Sequence, residues 1–279
     1  STPSNSSAAS DVYKRQGFIG AGNMGQAMVG GIVNSKLVAP ENIILSDLNE
    51  KALEAANEKF GVRVTTNSNE LAKEADILVL SVKPNLYPIV IKGIKDNVKK
   101  DVIVVTIAAG KALEDTENMF GKRIKIVRVM PNTPALVGEG MAAICPNDLV
   151  SKEETEEVIS IFESFGKAEI VEEKLMDAVT AVSGSSPAYV YMFIEAMADA
   201  AVLEGMPRDK AYKFAAQAVL GSAKMVLETG MHPGALKDMV CSPGGTTIKA
   251  VATLEKHGFR NAIIEAMRDC AIKSKEMSK

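Results

Sequence analysis

Two glycine clusters stand where side chains have been stripped from a turn that leads into a helix. In GFIGAGNMGQAMVGG, residues 17–31, the spacing G-x-G-x-x-G falls on Gly20, Gly22 and Gly25. In CSPGGTTIKA, residues 241–250, Gly244 and Gly245 stand directly before Thr246 and Thr247. Bare backbone at a helix N-terminus offers N–H groups and a partial positive charge, which suits an anion. In the first cluster Gly20 permits the tight turn, Gly22 admits a pyrophosphate and Gly25 lets the helix pack on the strand. The cluster follows an apolar run, opens a helical pattern and precedes a second run that ends at Asp47, 22 residues beyond Gly25. That context reads as dinucleotide binding.

Asp47 has two readings: a carboxylate for the ribose hydroxyls, which would repel a 2′-phosphate, or a helix cap beside Ser46 and Asn49. Lys83, in SVKPN, is either an ordinary exposed lysine or one lying over the cofactor. The second cluster also has two readings. It forms an anion site sized for a carboxylate, or a helix–helix turn capped by threonine. His232, before Pro233, reads as a turn residue.

Elements must hold these groups in place. Apolar runs GFIG, NIILS (42–46), DILVLSV (76–82), DVIVVTIA (101–108), IKIVRVM (124–130) and MAAIC (141–145) alternate with helical stretches. Continuous rather than alternating runs suit strands buried on both faces of a parallel sheet. Asn49 and Gly61 bound a helix over 49–60. An α/β, doubly wound Rossmann-type unit is expected. Ligands would then bind where SVKPN (81–85) and IAAG (107–110) leave the sheet. Beyond Asp177 only helical patterns remain: a break at 184–187, then 187–204, 208–228, 246–257 and 259–277. Apolar residues encircle helix 187–204, so it needs burial all round, and an interleaved dimer is expected. The expected division is a leader over 1–16, a dinucleotide-binding domain over 17–172 and an all-α substrate-binding and dimerisation domain over 173–279.

The chain has 279 residues, 47% hydrophobic and 24% charged, with a net charge of −3. Without a basic cluster or a long apolar run, neither nucleic acid nor a membrane is expected as a partner. Cys145, Cys241 and Cys270 are scattered and there are two histidines, so no metal site is expected and a cytoplasmic setting fits. Residues 1–16, STPSNSSAASDVYKRQ, are serine-rich and place YKRQ where an apolar first strand should begin. They read as a cloning or assembly remnant, or as a natural flexible tail, outside the folded core.

Taken together, FIGAGNMG, SVKP, AAG, PNTPALVGEG, DAVTAVSGSSPAYVY and HPGALKDMVCSPGGTTIKAVATLE resemble the pyrroline-5-carboxylate reductases across 17–277. The resemblance implies NADPH- or NADH-dependent reduction of 1-pyrroline-5-carboxylate to L-proline, the last step of proline biosynthesis. It also implies a dimer built from intertwined C-terminal helices, often assembled into a decamer. Cofactor contacts carry over to Ile19, Gly20, Ala21, Gly22, Asn23 and Met24, to Ser81, Val82, Lys83 and Pro84, and to Ala108. Substrate contacts carry over to Glu173, Gly245, Thr246 and Thr247. The sequence departs from the pattern at Ser68 and Met239, where some members carry Asn at cofactor contacts.

A protonated imine is already electrophilic, so hydride transfer needs positioning and charge complementarity more than a strong base. Loop 242–247 is expected to fix the carboxylate while Thr247 touches the ring nitrogen, with the hydride delivered across the domain junction. A β-hydroxyacid dehydrogenase would need a K-x-x-N helix after a glycine turn, where this chain has SGSSPAYVYMF. A non-catalytic dinucleotide sensor would leave SPGGTT without a purpose.

Overall fold

The computed structural model describes residues 14–277. These pack as two units. One holds the described residues up to Gly184 with those from Ile272 onward, and the other is Ser185–Ala271.

The first unit is an eight-stranded sheet of β1 (Gln16–Ile19), β2 (Ile43–Ser46), β3 (Arg63–Thr65), β4 (Ile77–Leu80), β5 (Ile103–Thr106), β6 (Lys125–Met130), β7 (Gly140–Pro146) and β8 (Gly166–Ile170). Their spatial order is β3-β2-β1-β4-β5-β6-β7-β8. The helices are α1 (Asn23–Asn34), α2 (Glu50–Phe60), α3 (Ser68–Glu74), α4 (Tyr87–Ile94), α5 (Leu113–Phe120), α6 (Lys152–Glu163) and the short α7 (Met176–Val179). Successive strand side chains point to opposite faces, and here both faces are covered. Phe18, Val79 and Val105 pack with Met28 and Ile32 of α1 and Phe162 of α6. Their neighbours Ile19, Leu80 and Val104 pack with Leu71 of α3 and Tyr87 and Ile91 of α4. Each such fully buried apolar side chain stabilises the fold by about 1.5–3 kcal/mol.

Every adjacent pair in the sheet is parallel except β6·β7. Only residues 131–139 link β6 to β7, too short for a parallel crossover, so β7 runs back beside β6. The sequence analysis missed β3 and β8. Both are edge strands with half-exposed, polar patterns, so neither shows a continuous apolar run. Helix α2 is capped as expected: Asn49 accepts the Ala52 N–H, and Gly61 adopts φ +69°.

The reading of 1–16 as outside the folded core is corrected at its end. Gln16 is 4% exposed and opens β1, paired with Ile43 and Ile77. The Arg15 carbonyl accepts the Asp76 N–H at 2.8 Å, and the Arg15 N–H donates to Asp76 Oδ2 at 2.8 Å. Lys14 pairs with Glu157. Central position in the sheet supplies hydrogen-bond partners on both sides, and these outweigh the polar side chains. The rest of the leader, 1–13, lies outside the described residues.

Packing divides the chain at Gly184, later than the expected 172/173 boundary, because Met176 of α7 is buried with Met130, Ala143 and Cys145. The last turns of α12 (Phe259–Met277) also belong to the first unit, where Ser274 Oγ donates to Asp177 Oδ1 at 2.6 Å. Between α7 and the second unit lies a π-helical turn, Thr180–Gly184.

The second unit is helical: α8 (Ser186–Leu203), α9 (Arg208–Thr229), α10 (Pro233–Val240), α11 (Thr246–Lys256) and most of α12 (Phe259–Met277). Its buried apolar residues are the alanines Ala198, Ala211 and Ala215. Larger groups lie open, among them Met192 at 69%, Phe214 at 67% and Leu227 at 84%. Three alanines do not make a core, and the larger apolar faces of these helices are open in the single chain.

Candidate cofactor and substrate sites

In the first unit, the turn from β1 to α1 matches the glycine roles. Gly20 adopts φ +115°, and a Cβ there would lie 2.7 Å from the Ser81 carbonyl oxygen. At Gly25 a Cβ would collide with the Gly20 carbonyl. At Gly22 a Cβ would meet no atom. Turn geometry and helix packing therefore account for Gly20 and Gly25, and only an approaching ligand accounts for Gly22. The α1 N-terminus has no side-chain cap and no acidic residue in its first turn, which leaves its dipole free for a phosphate. The residues present fit a dinucleotide.

The loop is held from three sides. Ser81 Oγ lies 2.8 Å from the Gly20 carbonyl and 3.0 Å from that of Ile19. Gln26 Nε2 donates to the Ala21 carbonyl at 2.8 Å. Asp47 Oδ2 accepts the Ala21 N–H at 2.6 Å, and Asp47 Oδ1 accepts that of Asn49 at 2.9 Å. Asn49, not Asp47, is therefore the cap of α2.

A cavity of about 320 Å³ opens beside this loop, lined by Ile19, Gly20, Asp47 and Val82 of the expected set and by exposed Leu48 and Ile89. Ser68 also lines it, its hydroxyl 3.0 Å from that of Ser46. Its size and mixed lining suit an adenosine moiety. Asn23 is exposed and Met24 half-buried at the start of α1, and Ala21 is buried. Lys83 is exposed and caps a single 3-10 turn that begins at Pro84. Ala108 is buried at the end of β5.

Three supporting residues escaped the sequence analysis. Tyr87, fully buried, donates to the Leu80 carbonyl at 2.8 Å and accepts the Ile107 N–H at 3.3 Å, tying the ends of β4 and β5. Burial pushes its phenol above the ordinary range. Asn132 donates to the Ser183 carbonyl at 3.1 Å and accepts the Met141 N–H at 2.8 Å, anchoring the π turn. Arg128, 5% exposed, pairs with Glu173 at 2.9 Å. The same Glu173 Oε1 accepts the Leu113 N–H at 2.8 Å, while Oε2 takes neither bond. Burial, with Glu173 adding to it, pushes the nearby Cys145 thiol up. A polar residue inside the run IKIVRVM was the available signal, since a buried arginine demands a carboxylate.

In the second unit, the turn before α11 is tight. Gly244 adopts φ +71°, and a Cβ at Gly245 would collide with the Ser242 hydroxyl. Gly245 is the N-cap of α11 with no side-chain hydrogen bond, so threonine does not cap this helix. Thr246 is exposed and Thr247 half-buried in the first turn. His232, expected only as a turn residue, is the N-cap of α10: its Nδ1 accepts the Gly234 N–H at 3.0 Å.

The chain is similar to known proteins along nearly its whole length. Residues 173–277 match the family described as pyrroline-5-carboxylate reductase dimerisation, and residues 15–110 match NADP oxidoreductase coenzyme F420-dependent. A pyrroline-5-carboxylate reductase of Escherichia coli is 54% identical over 95% of this chain and 99% of its own. One from Methanosarcina acetivorans is 46% identical over 94% of this chain and 97% of its own. Among solved structures, Plasmodium falciparum pyrroline carboxylate reductase with NADP bound aligns at TM-score 0.88. It is 36% identical and covers 96% of this chain and 99% of its own. The Coxiella burnetii enzyme aligns at TM-score 0.89, with 34% identity over 95% and 99%.

Proposed function

The chain belongs to the pyrroline-5-carboxylate reductase family, and on that premise we propose how its residues divide the work of the reaction. It is an oxidoreductase that reduces 1-pyrroline-5-carboxylate to L-proline with NAD(P)H. The competing dehydrogenase and sensor readings are not favoured; the first turn of α8, Ser186-Pro187-Ala188-Tyr189, lacks the lysine the former needs.

The cofactor is held by Ile19–Met24, by Ser81–Pro84 and by Ala108, with Asp47 at the ribose. When bound, it supplies the hydride to the imine carbon. Ser81, Gln26 and Asp47 keep the Gly20–Gly22 backbone in one conformation. The substrate carboxylate is taken by the Thr246 and Thr247 N–H groups, with Gly245, whose own N–H closes the turn on the Ser242 carbonyl at 3.1 Å, leaving room for it, and the Thr247 hydroxyl bonds the ring nitrogen, whose proton stays in the product. Glu173, a substrate contact by the family's pattern, is fixed on Oε1 by Arg128 and by the Leu113 N–H. The observation that carries this reading is the uncapped N-terminus of α11 behind Gly244–Gly245, which supports a carboxylate site and serves no capping purpose.

Functionally the division is 17–172 for the dinucleotide and 173–279 for substrate and dimerisation. Further assembly to a decamer, absence of nucleic-acid partners and a cytoplasmic location are part of the same proposal. Among the described residues no helix is long and apolar enough to cross a membrane. Oxidation of NAD(P)H that depends on 1-pyrroline-5-carboxylate, with L-proline as product, tests the reaction. Purified enzyme that oxidises the cofactor only with a 3-hydroxyacid product pair, or not at all, overturns it.

A further inference from the structure

The cavity beside the glycine loop carries a feature the family assignment leaves open. Its floor at the end of β2 is a carboxylate whose position is fixed. Asp47 takes one backbone N–H on each oxygen, from Ala21 at 2.6 Å and from Asn49 at 2.9 Å. Each carboxylate oxygen has a second acceptor position, which suits the two hydroxyl donors of an unmodified ribose. No cation in the cavity offsets a phosphate at that place. No lysine or arginine is among the residues that line it. The hydroxyls at hand, Ser46 and Ser68, bond each other at 3.0 Å, which leaves a single neutral donor between them. Neither neighbouring helix start is open to an anion. Asn67 accepts the Asn69 and Glu70 N–H groups at the start of α3, and Glu70 lies in its first turn. Asn49 caps α2, with Glu50 in its first turn.

We infer that this chain discriminates between its two possible cofactors and uses NADH in preference to NADPH, with Asp47 as the discriminating residue. The inference rests on the NAD(P)H-dependent reading above and deepens it. A 2′-phosphate brings close to two negative charges at neutral pH. It would sit against an immovable carboxylate in a partly enclosed, cation-free cavity, where like charges repel far more than in bulk water. The ribose 2′-hydroxyl brings a hydrogen bond instead.

Titration of the full-length protein with NADH and with NADPH, followed by the fluorescence of the nicotinamide, reads binding without turnover; kcat/KM for imine reduction with each cofactor is the second readout. The wild type binds NADH at least about tenfold more tightly, and the ratio shrinks as ionic strength rises, because screening weakens the repulsion. Asp47→Asn keeps an acceptor oxygen and removes the charge, and the ratio falls to within about threefold. Asp47→Ser moves it the same way. Tighter or equal binding of NADPH to the wild type, or a ratio insensitive to salt and unchanged in a folded Asp47→Asn protein, overturns the preference alone. Binding of neither dinucleotide overturns the cofactor reading on which it rests.

Discussion

Arg128 Nη1 lies 2.9 Å from Glu173 Oε1, with the arginine side chain 6% exposed and the carboxylate 35%. The arginine is the member that cannot reach water. Removing its partner leaves a buried charge, whereas removing both leaves an apolar cluster of Met130, Cys145 and Met176. Loss of one partner of a fully buried pair costs about 3–5 kcal/mol, and the exposure of Glu173 reduces this to about 2 kcal/mol. Glu173→Ala is therefore less stable than the wild type in urea denaturation, and adding Arg128→Met recovers part of the loss. A double variant no more stable than Glu173→Ala contradicts the asymmetry.

The edge of the sheet has an acid-sensitive latch. Glu74 Oε2 lies 2.9 Å from both Arg63 Nη1 and Arg15 Nη1. The hydrogen bond from Arg63 holds its carboxyl below the usual glutamate range. A lowered folded pKa means stability that is present above the unfolded value, about 4.3, and is lost as pH falls through the folded one. Melting temperature should therefore drop below about pH 4.3, and Glu74→Gln should flatten that limb by lowering the melting temperature at neutral pH toward the acid value. An unchanged acid limb in Glu74→Gln assigns the loss to other carboxylates.

What the sequence made legible was whatever depends on local pattern. Gly20, Gly22 and Gly25 could be assigned separate tasks because a strand, a turn and a helix follow one another there. The ends of α9, α11 and α12 fell within a residue of expectation, since their caps and breakers are local. Partners far apart in the chain were not legible. Ser81 stood out beside the cofactor site, but the bonds from its hydroxyl to the Ile19 and Gly20 carbonyls, some sixty residues away in the chain, did not. Asn132 looked like part of a loop, yet it anchors Ser183. Arg15 and Gln16 looked polar enough to exclude, and only the register with Ile43 and Ile77 shows the strand that holds them.

Ser81→Ala tests whether the loop is held for the cofactor. A neutral hydrogen bond contributes about 1 kcal/mol, so Kd for NAD(P)H should rise about fivefold while kcat changes little. An equal fall in kcat with no change in Kd would assign Ser81 to the chemical step instead.

Helix α8 should not tolerate a charge on the face that carries Met192, Ala196 and Leu203. Ala196 is exposed in the single chain, between Met192 at 69% and Leu203 at 87%. A carboxylate there would be buried unpaired on dimerisation, a cost of several kcal/mol. Ala196→Glu should sediment as a monomer or fail to stay in solution. An active dimer with this substitution places the interface on another face.

The proposed contact to the reacting nitrogen depends on Thr247. Its N–H lies in the first turn of α11, which begins behind Gly244–Gly245 without a side-chain cap. A carboxylate held by those N–H groups is one carbon from the imine nitrogen, within reach of a short hydroxyl. The hydroxyl donates to the neutral imine and accepts from the protonated one, so it serves both states. Hydrogen bonds with a charged partner contribute about 1.5–3 kcal/mol. Thr247→Ala should lower kcat/KM by about 10- to 200-fold and leave cofactor Kd unchanged, because the glycine loop of the first unit is untouched. Thr247→Ser should restore most of the loss. Thr246 is more exposed, and Thr246→Ala should cost less, since its N–H is retained. Full efficiency in a folded Thr247→Ala enzyme would mean that the nitrogen is contacted by another group, and that α11 serves the carboxylate alone.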